Sequence, residues 1–181
     1  MPASIRYTRT AITLHWLVAV AIVATFGLGL YMQDLPLSPD KLKLYAWHKW
    51  TGVSIFLLVL ARIVWRLGHR PPAPPAGMPA WQRQAAEGVH LLLYGLMLAV
   101  PVSGWLMSSA KGVPTVWFGV LPLPDLLGRN KALGDLLATV HKSLNFSMAA
   151  LVLVHAGAAL KHHLIDRDEV LARMLPLLKK P

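Results

Sequence analysis

The chain has 181 residues, 55% of them hydrophobic and only 14% charged, with a mean hydropathy of +0.50. Such a composition excludes an ordinary soluble domain and points to an integral membrane protein. A formal charge of +10 does not mark a nucleic-acid binder, because the basic residues flank apolar runs and form no basic domain of their own. The absence of cysteine excludes disulfides, thiolate metal sites, iron–sulfur clusters and thioether-linked haem.

The length allows about four spans of ~20 residues with short loops, an all-α integral membrane four-helix bundle. A basic entry, residues 1–10, leads into a first predicted span over 10–32 that carries His15 and Trp16 near its start. A signal peptide has a shorter apolar core, so this segment is expected to be retained as a span. The second span covers 44–67, with His48 near one end and Arg62 and Arg66 near the other. RPPAPPAGMP, residues 70–79, reads as an extended connection. The third span covers 80–110, with His90 in its inner half and Pro101 past its middle, where a kink is expected. Residues 111–132 form the longest outer loop; Trp117, Phe118 and several leucines suggest a piece lying on the membrane surface. The fourth span, 133–165, carries His141 and His155, with His162 and His163 at its far end. With the N-terminus inside, eleven Lys and Arg, Lys179 and Lys180 among them, fall on the inner side and seven on the outer side. That bias favours cytoplasmic termini.

Ionisable groups inside membrane helices are costly and point to function. His141 and His155 lie fourteen residues apart, close to four helical turns, so they share a face about 21 Å apart. By depth in their apolar runs, His48 and His141 fall about 10–12 Å to the outer side of the midplane. His15, His90 and His155 fall about 9–12 Å to the inner side. The outer site thus has two candidates, and the inner site has three for two positions. Paired imidazoles from facing helices are the ligand set of a non-covalent b haem; they leave no open position, which suits electron transfer. A lone interfacial histidine is more often a boundary residue, the reading that applies to His69 and His163 and competes with any role for His162.

The surroundings fit that ligand set. Gly52, one turn from His48, and Gly157, after His155, leave room for a flat ring near the backbone. Arg62 is on the face of His48 at the inner depth, where it can pair with a haem propionate; Arg66 is on the same stripe, as propionate partner or snorkelling charge. Lys49 and Lys142 directly follow His48 and His141, with Lys41 and Lys43 nearby. Together they make an electropositive outer mouth, suited to holding propionates or drawing in a small anion. As plain interfacial charges they need no such role.

LHWL at 14–17, WHKWTG at 47–52, RPPAPP at 70–75, AVPVSGW at 99–105, VHKSLNF at 140–146 and HAGAALKHH at 155–163 resemble the bacterial cytochrome b561 family over nearly the whole chain. That family is similar in turn to the cytochrome b subunits of formate dehydrogenases and nickel–iron hydrogenases. The resemblance implies two haem b groups, with His15 and His155 holding the inner one, His48 and His141 the outer one, and His90 unligated. Some members are superoxide oxidases of the bacterial inner membrane, taking an electron from superoxide outside and passing it to ubiquinone near the inner haem. For that chemistry His162, two turns beyond His155, is the better-placed proton shuttle and His90 the other. The rival expectation is a partner-dependent cytochrome b subunit linking a periplasmic dehydrogenase or c-type cytochrome to the quinone pool. A His-lined metal transporter is disfavoured, because the acidic residues lie in loops or at span ends.

Overall fold

The computed structural model describes residues 6–75 and 77–178. Lys179 and Lys180, counted above among the inner charges, and residues 1–5 of the basic entry lie outside the described residues. Four long helices, α1 (Arg9–Gln33), α2 (Pro39–Gly68), α3 (Ala80–Ala110) and α4 (Lys131–Leu164), are each long and apolar enough to cross a membrane. Leu17, Val20, Val64, Leu91 and Leu153 point away from the bundle. In a bilayer lipid takes the place of a second protein layer around such side chains, while each helix satisfies its own backbone.

Side chains close the helix starts. Thr8 Oγ1 accepts the Ala11 N–H at 3.2 Å, Ser38 Oγ accepts that of Lys41 at 3.2 Å, and Asn130 Oδ1 accepts that of Leu133 at 3.0 Å. The Ser38 cap, with Pro39 at the first position and Asp40 in the first turn, starts α2 at Pro39 rather than near 44. Hydropathy alone misses this polar turn. In the same way Asn130 starts α4 at Lys131. α3 continues through Pro101.

The helices do not pack evenly. α3 lies closely along α4 and α1 along α2, whereas α4 stands off from both α1 and α2. A small core of Val18, Ile55, Val59, Leu93, Met97, Val100 and Met148 joins the four helices at mid-height. Towards one end of the bundle the gap between α4 and the α1–α2 pair opens into a cleft. The consequence for function is direct: every histidine pair described below spans that gap or borders it.

Residues between α3 and α4 make a two-stranded antiparallel hairpin, β1 (Val116–Trp117) and β2 (Leu121–Pro122). It does not simply lie flat on a membrane surface. Trp117 Nε1 donates inward to the Trp50 carbonyl at 3.2 Å and to Ser54 Oγ at 3.3 Å, and Trp50 Nε1 donates to the Val116 carbonyl at 2.6 Å. Thr115 is buried beneath the hairpin. The tip, Phe118 to Leu121, keeps its apolar side chains exposed, as do Val113, Val116 and Leu126. Two amphipathic indoles thus fold the segment over the end of the bundle as a cap. At the opposite, terminal end, the short α5 (Val170–Met174) packs on α4. There Arg173 donates to the Ala73 carbonyl of the proline-rich connection at 2.6 Å.

Candidate functional site

At the capped end, His48 of α2 faces His141 of α4 across the gap, with ring centroids 6.3 Å apart and planes at 81°. The two rings border a mostly apolar cleft, lined also by Thr25, Gly52, Gly104 and Asn145. His141 is held firmly. Its Nδ1 lies 3.1 Å from the Val100 carbonyl and 3.0 Å from Ser103 Oγ, and the buried Ser103 hydroxyl itself donates to the Val100 carbonyl at 2.8 Å. A carbonyl only accepts, so this contact puts the imidazole proton on Nδ1 and leaves Nε2 with its lone pair. His48 Nδ1 is buried with no hydrogen-bond partner. Each ring also rests on a glycine. A Cβ at Gly104 would stand 3.0 Å from His141 Cε1, and one at Gly29 would stand 3.2 Å from His48 Cε1. A Cβ at Gly52 would meet no protein atom within 4 Å.

Towards the terminal end, His15 of α1 faces His155 of α4 with centroids 6.2 Å apart and planes at 63°. His90 of α3 approaches His155 more closely, at 5.3 Å. His15 Nδ1 is buried without a partner. Next to His15, Trp16 Nε1 donates to the Met174 carbonyl at 2.8 Å, tying the His15 turn to the end of α5. Arg62 and Arg66 converge on one face-bearing residue, Tyr94, with Cζ atoms 5.3 and 5.7 Å from its ring centroid. Among the described residues neither guanidinium has a carboxylate within ion-pair distance. Arg62 is half-buried and Arg66 exposed beside it near the end of α2, and a half-buried cation without a carboxylate calls for an anion from elsewhere.

The remaining predicted residues fall into separate places. Lys49 reaches up from α2 to the hairpin, donating to the Val113 carbonyl at 3.0 Å and the Pro114 carbonyl at 3.3 Å. Its charge therefore sits at the cleft mouth against these carbonyls and in the field of Asp125. Lys142 is exposed on α4. Of the neighbouring lysines, Lys41 is used to hold the end of α1, donating to the carbonyls of Gln33 and Leu35, and Lys111 pairs with Asp135 at 3.5 Å. His162 is not with the paired rings. Its Nδ1 lies 2.6 Å from Asp168 and 3.3 Å from Asp166, beside a cavity lined by Pro75, Met78 and Gln82. Lys161 binds the same Asp166 carboxylate at 2.6 Å.

Two histidine pairs on different helices share nearly one spacing, and both bridge the stretch where α4 stands away from its neighbours. Partnerless buried ring nitrogens, a glycine facing open space and a large apolar cleft complete the setting. These features fit a flat, metal-centred ring sandwiched between two imidazoles, which is how b haem is held. The third histidine, nearer to His155, has less room between rings than either pair. Sequence reasoning missed Ser103, Gly104 and Gly29; the first two lie within AVPVSGW, whose spacing after Pro101 was the available signal.

The model of the family described as prokaryotic cytochrome b561 matches residues 6–177. Cytochrome b561 homolog 2 of Escherichia coli is 36% identical over 171 residues, covering 94% of this chain and 91% of that protein. Cytochrome b561 homolog 1 of the same organism is 29% identical, covering 96% and 99%. A Yersinia pestis protein named probable superoxide oxidase CybB is 27% identical, covering 94% and 96%.

Proposed function

The chain belongs to the prokaryotic cytochrome b561 family of haem-binding membrane electron-transfer proteins, and from that premise we propose that it is a superoxide:ubiquinone oxidoreductase carrying two b haems. The observation that supports this most is the doubling of the imidazole pair, His48 with His141 and His15 with His155, at the two ends of one bundle. In this reading the capped end faces the periplasm and the termini lie in the cytoplasm of a bacterial inner membrane.

Haem, when bound, supplies reversible one-electron chemistry. The residues of the chain do the rest. His48 and His141 take one group and His15 and His155 the other, while Arg62, joined by Arg66, receives propionate charge. Gly52 leaves the backbone approach open. Lys49 and Lys142 raise the local concentration of a small anion at the mouth. Overall, two superoxide anions each lose one electron and leave as two molecules of dioxygen. One ubiquinone gains those two electrons and two protons to become ubiquinol. His162, hydrogen-bonded to Asp168 at the terminal end, is placed to pass those protons inward from solution. His90, against His155, is a second polar contact for the quinone head.

A second reading, a cytochrome b subunit fed by a periplasmic dehydrogenase or c-type cytochrome, draws on the exposed apolar hairpin tip, Phe118 to Leu121. Purified protein in detergent separates the two. Exposure to a superoxide source should reduce the haem without any partner, and soluble ubiquinone should reoxidise it. Haem that stays oxidised until a dehydrogenase or c-type cytochrome is added would overturn the oxidase reading and leave the conduit.

A further inference from the structure

The two imidazole pairs differ in one respect that bears on the direction of electron flow. Among the described residues His141 is the one of the four whose Nδ1 has a partner within hydrogen-bond distance, through the bifurcated contact to the Val100 carbonyl at 3.1 Å and Ser103 Oγ at 3.0 Å; His48 has only a weaker backbone interaction with Thr25. His48 and His15 have buried Nδ1 atoms with no partner, and no hydrogen bond to the His155 ring is found among the described residues. The contact is built in. Ser103 is buried and its own hydroxyl is spent on the same carbonyl, so its oxygen is turned to accept from His141. Gly104 lets the ring lie against α3. Pro101 stands in the same turn, where a proline removes a rung of the helical ladder and loosens it locally.

We propose that Ser103 and the Val100 carbonyl act as a positioning and tuning pair for His141, setting the His48–His141 site at a lower potential than the His15–His155 site. A ligating imidazole that donates its other N–H becomes a stronger electron donor to the metal and favours the oxidised state. Nearby positive charge favours the reduced state, and Arg62 and Arg66, without carboxylate partners, stand at the His15–His155 end. The Lys49 charge at the capped end is offset by Asp125 and by the Val113 and Pro114 carbonyls, so both effects act in one sense. An electron entering at the capped end runs downhill to the terminal end.

The inference rests on the two-haem reading, and a potentiometric titration of the purified holoprotein followed by visible absorbance tests both. The native protein should show two one-electron waves. His15→Ala, which retains only the capped-end site, should keep the lower one. Ser103→Ala should raise the lower wave, changing the oxidised-to-reduced ratio at fixed potential by about threefold to tenfold, at most about 59 mV. The upper wave should stay in place, and Ser103→Thr, which keeps the hydroxyl, should restore the native value. A lower wave unmoved in Ser103→Ala with both haems present overturns the assignment. So does equal movement of both waves. Should Ser103→Ala lose the capped-end haem, the native order decides: the capped-end site above the terminal-end site overturns the proposal, and the reverse order upholds it. A native protein with a single haem fails the two-haem reading itself.

Discussion

Gly104→Ala is the smallest change that probes the capped-end site. The new methyl carbon would stand 3.0 Å from His141 Cε1 and 3.3 Å from Nδ1, against the 3.4 Å where ordinary contact begins. The ring must therefore retreat by about 0.4 Å along that direction. The Nδ1 contacts to Ser103 and Val100, now 3.0 and 3.1 Å, would lengthen towards about 3.4–3.5 Å, where hydrogen bonds are close to lost. A buried donor left unsatisfied costs about 1–3 kcal/mol, and disturbing the partner of a metal-bound histidine typically costs about 10–100-fold in affinity for the metal group. Alanine in place of glycine stabilises a helix by roughly 0.5–1 kcal/mol, so α3 itself should not unfold. The expected result is a protein of normal yield and helicity that retains the terminal-end haem and releases the capped-end haem at least about tenfold faster. Haem-to-protein stoichiometry after dilution or competition with apomyoglobin measures it. Two haems per chain with native release kinetics would show that the ring does not depend on this contact.

Gly52→Phe tests whether the open space belongs to a ligand: no protein atom lies within 4 Å of a Cβ there and the position lines the cleft, so the bundle should assemble while haem content falls from about two per chain to one. Unchanged content would mean that the space is not the ring's. Lys142→Gln removes an exposed charge and should slow superoxide-driven reduction at low salt by about threefold, within the range of electrostatic steering; Lys49→Gln should slow it further, since that charge lines the cleft itself. A rate indifferent to both substitutions and to ionic strength removes steering from the account. His162→Ala should slow reoxidation by ubiquinone by at least about a hundredfold, the lower end of general acid–base contributions, with both haem spectra intact. A missing terminal-end haem in that variant would instead make His162 a ligand.

Much of this protein was legible without coordinates. Runs of apolar residues long enough for a bilayer announce helices because nothing else satisfies a backbone in lipid. The fourteen-residue step from His141 to His155 places both on one face because the helix has a fixed rise and turn. Cap chemistry was equally present in Ser38, Pro39 and Asp40, though hydropathy does not weigh it. Depth alone could not rank the three inner histidines, because depth is set along a helix whereas pairing depends on which helices face each other; only the resemblance favoured His15 with His155. The proposed pairing draws on packing as well: α4 lies against α3 and stands off from α1 and α2, with His15 and His155 facing each other and His90 closer to His155 from α3. The same holds for Lys49, whose charge was readable but whose attachment to the hairpin was not, and for Ser103, which meets His141 only because two helices distant in sequence are pressed together. Local physics fixes what each helix is and which way its side chains point; contacts between helices are long-range, and only the folded bundle supplies them.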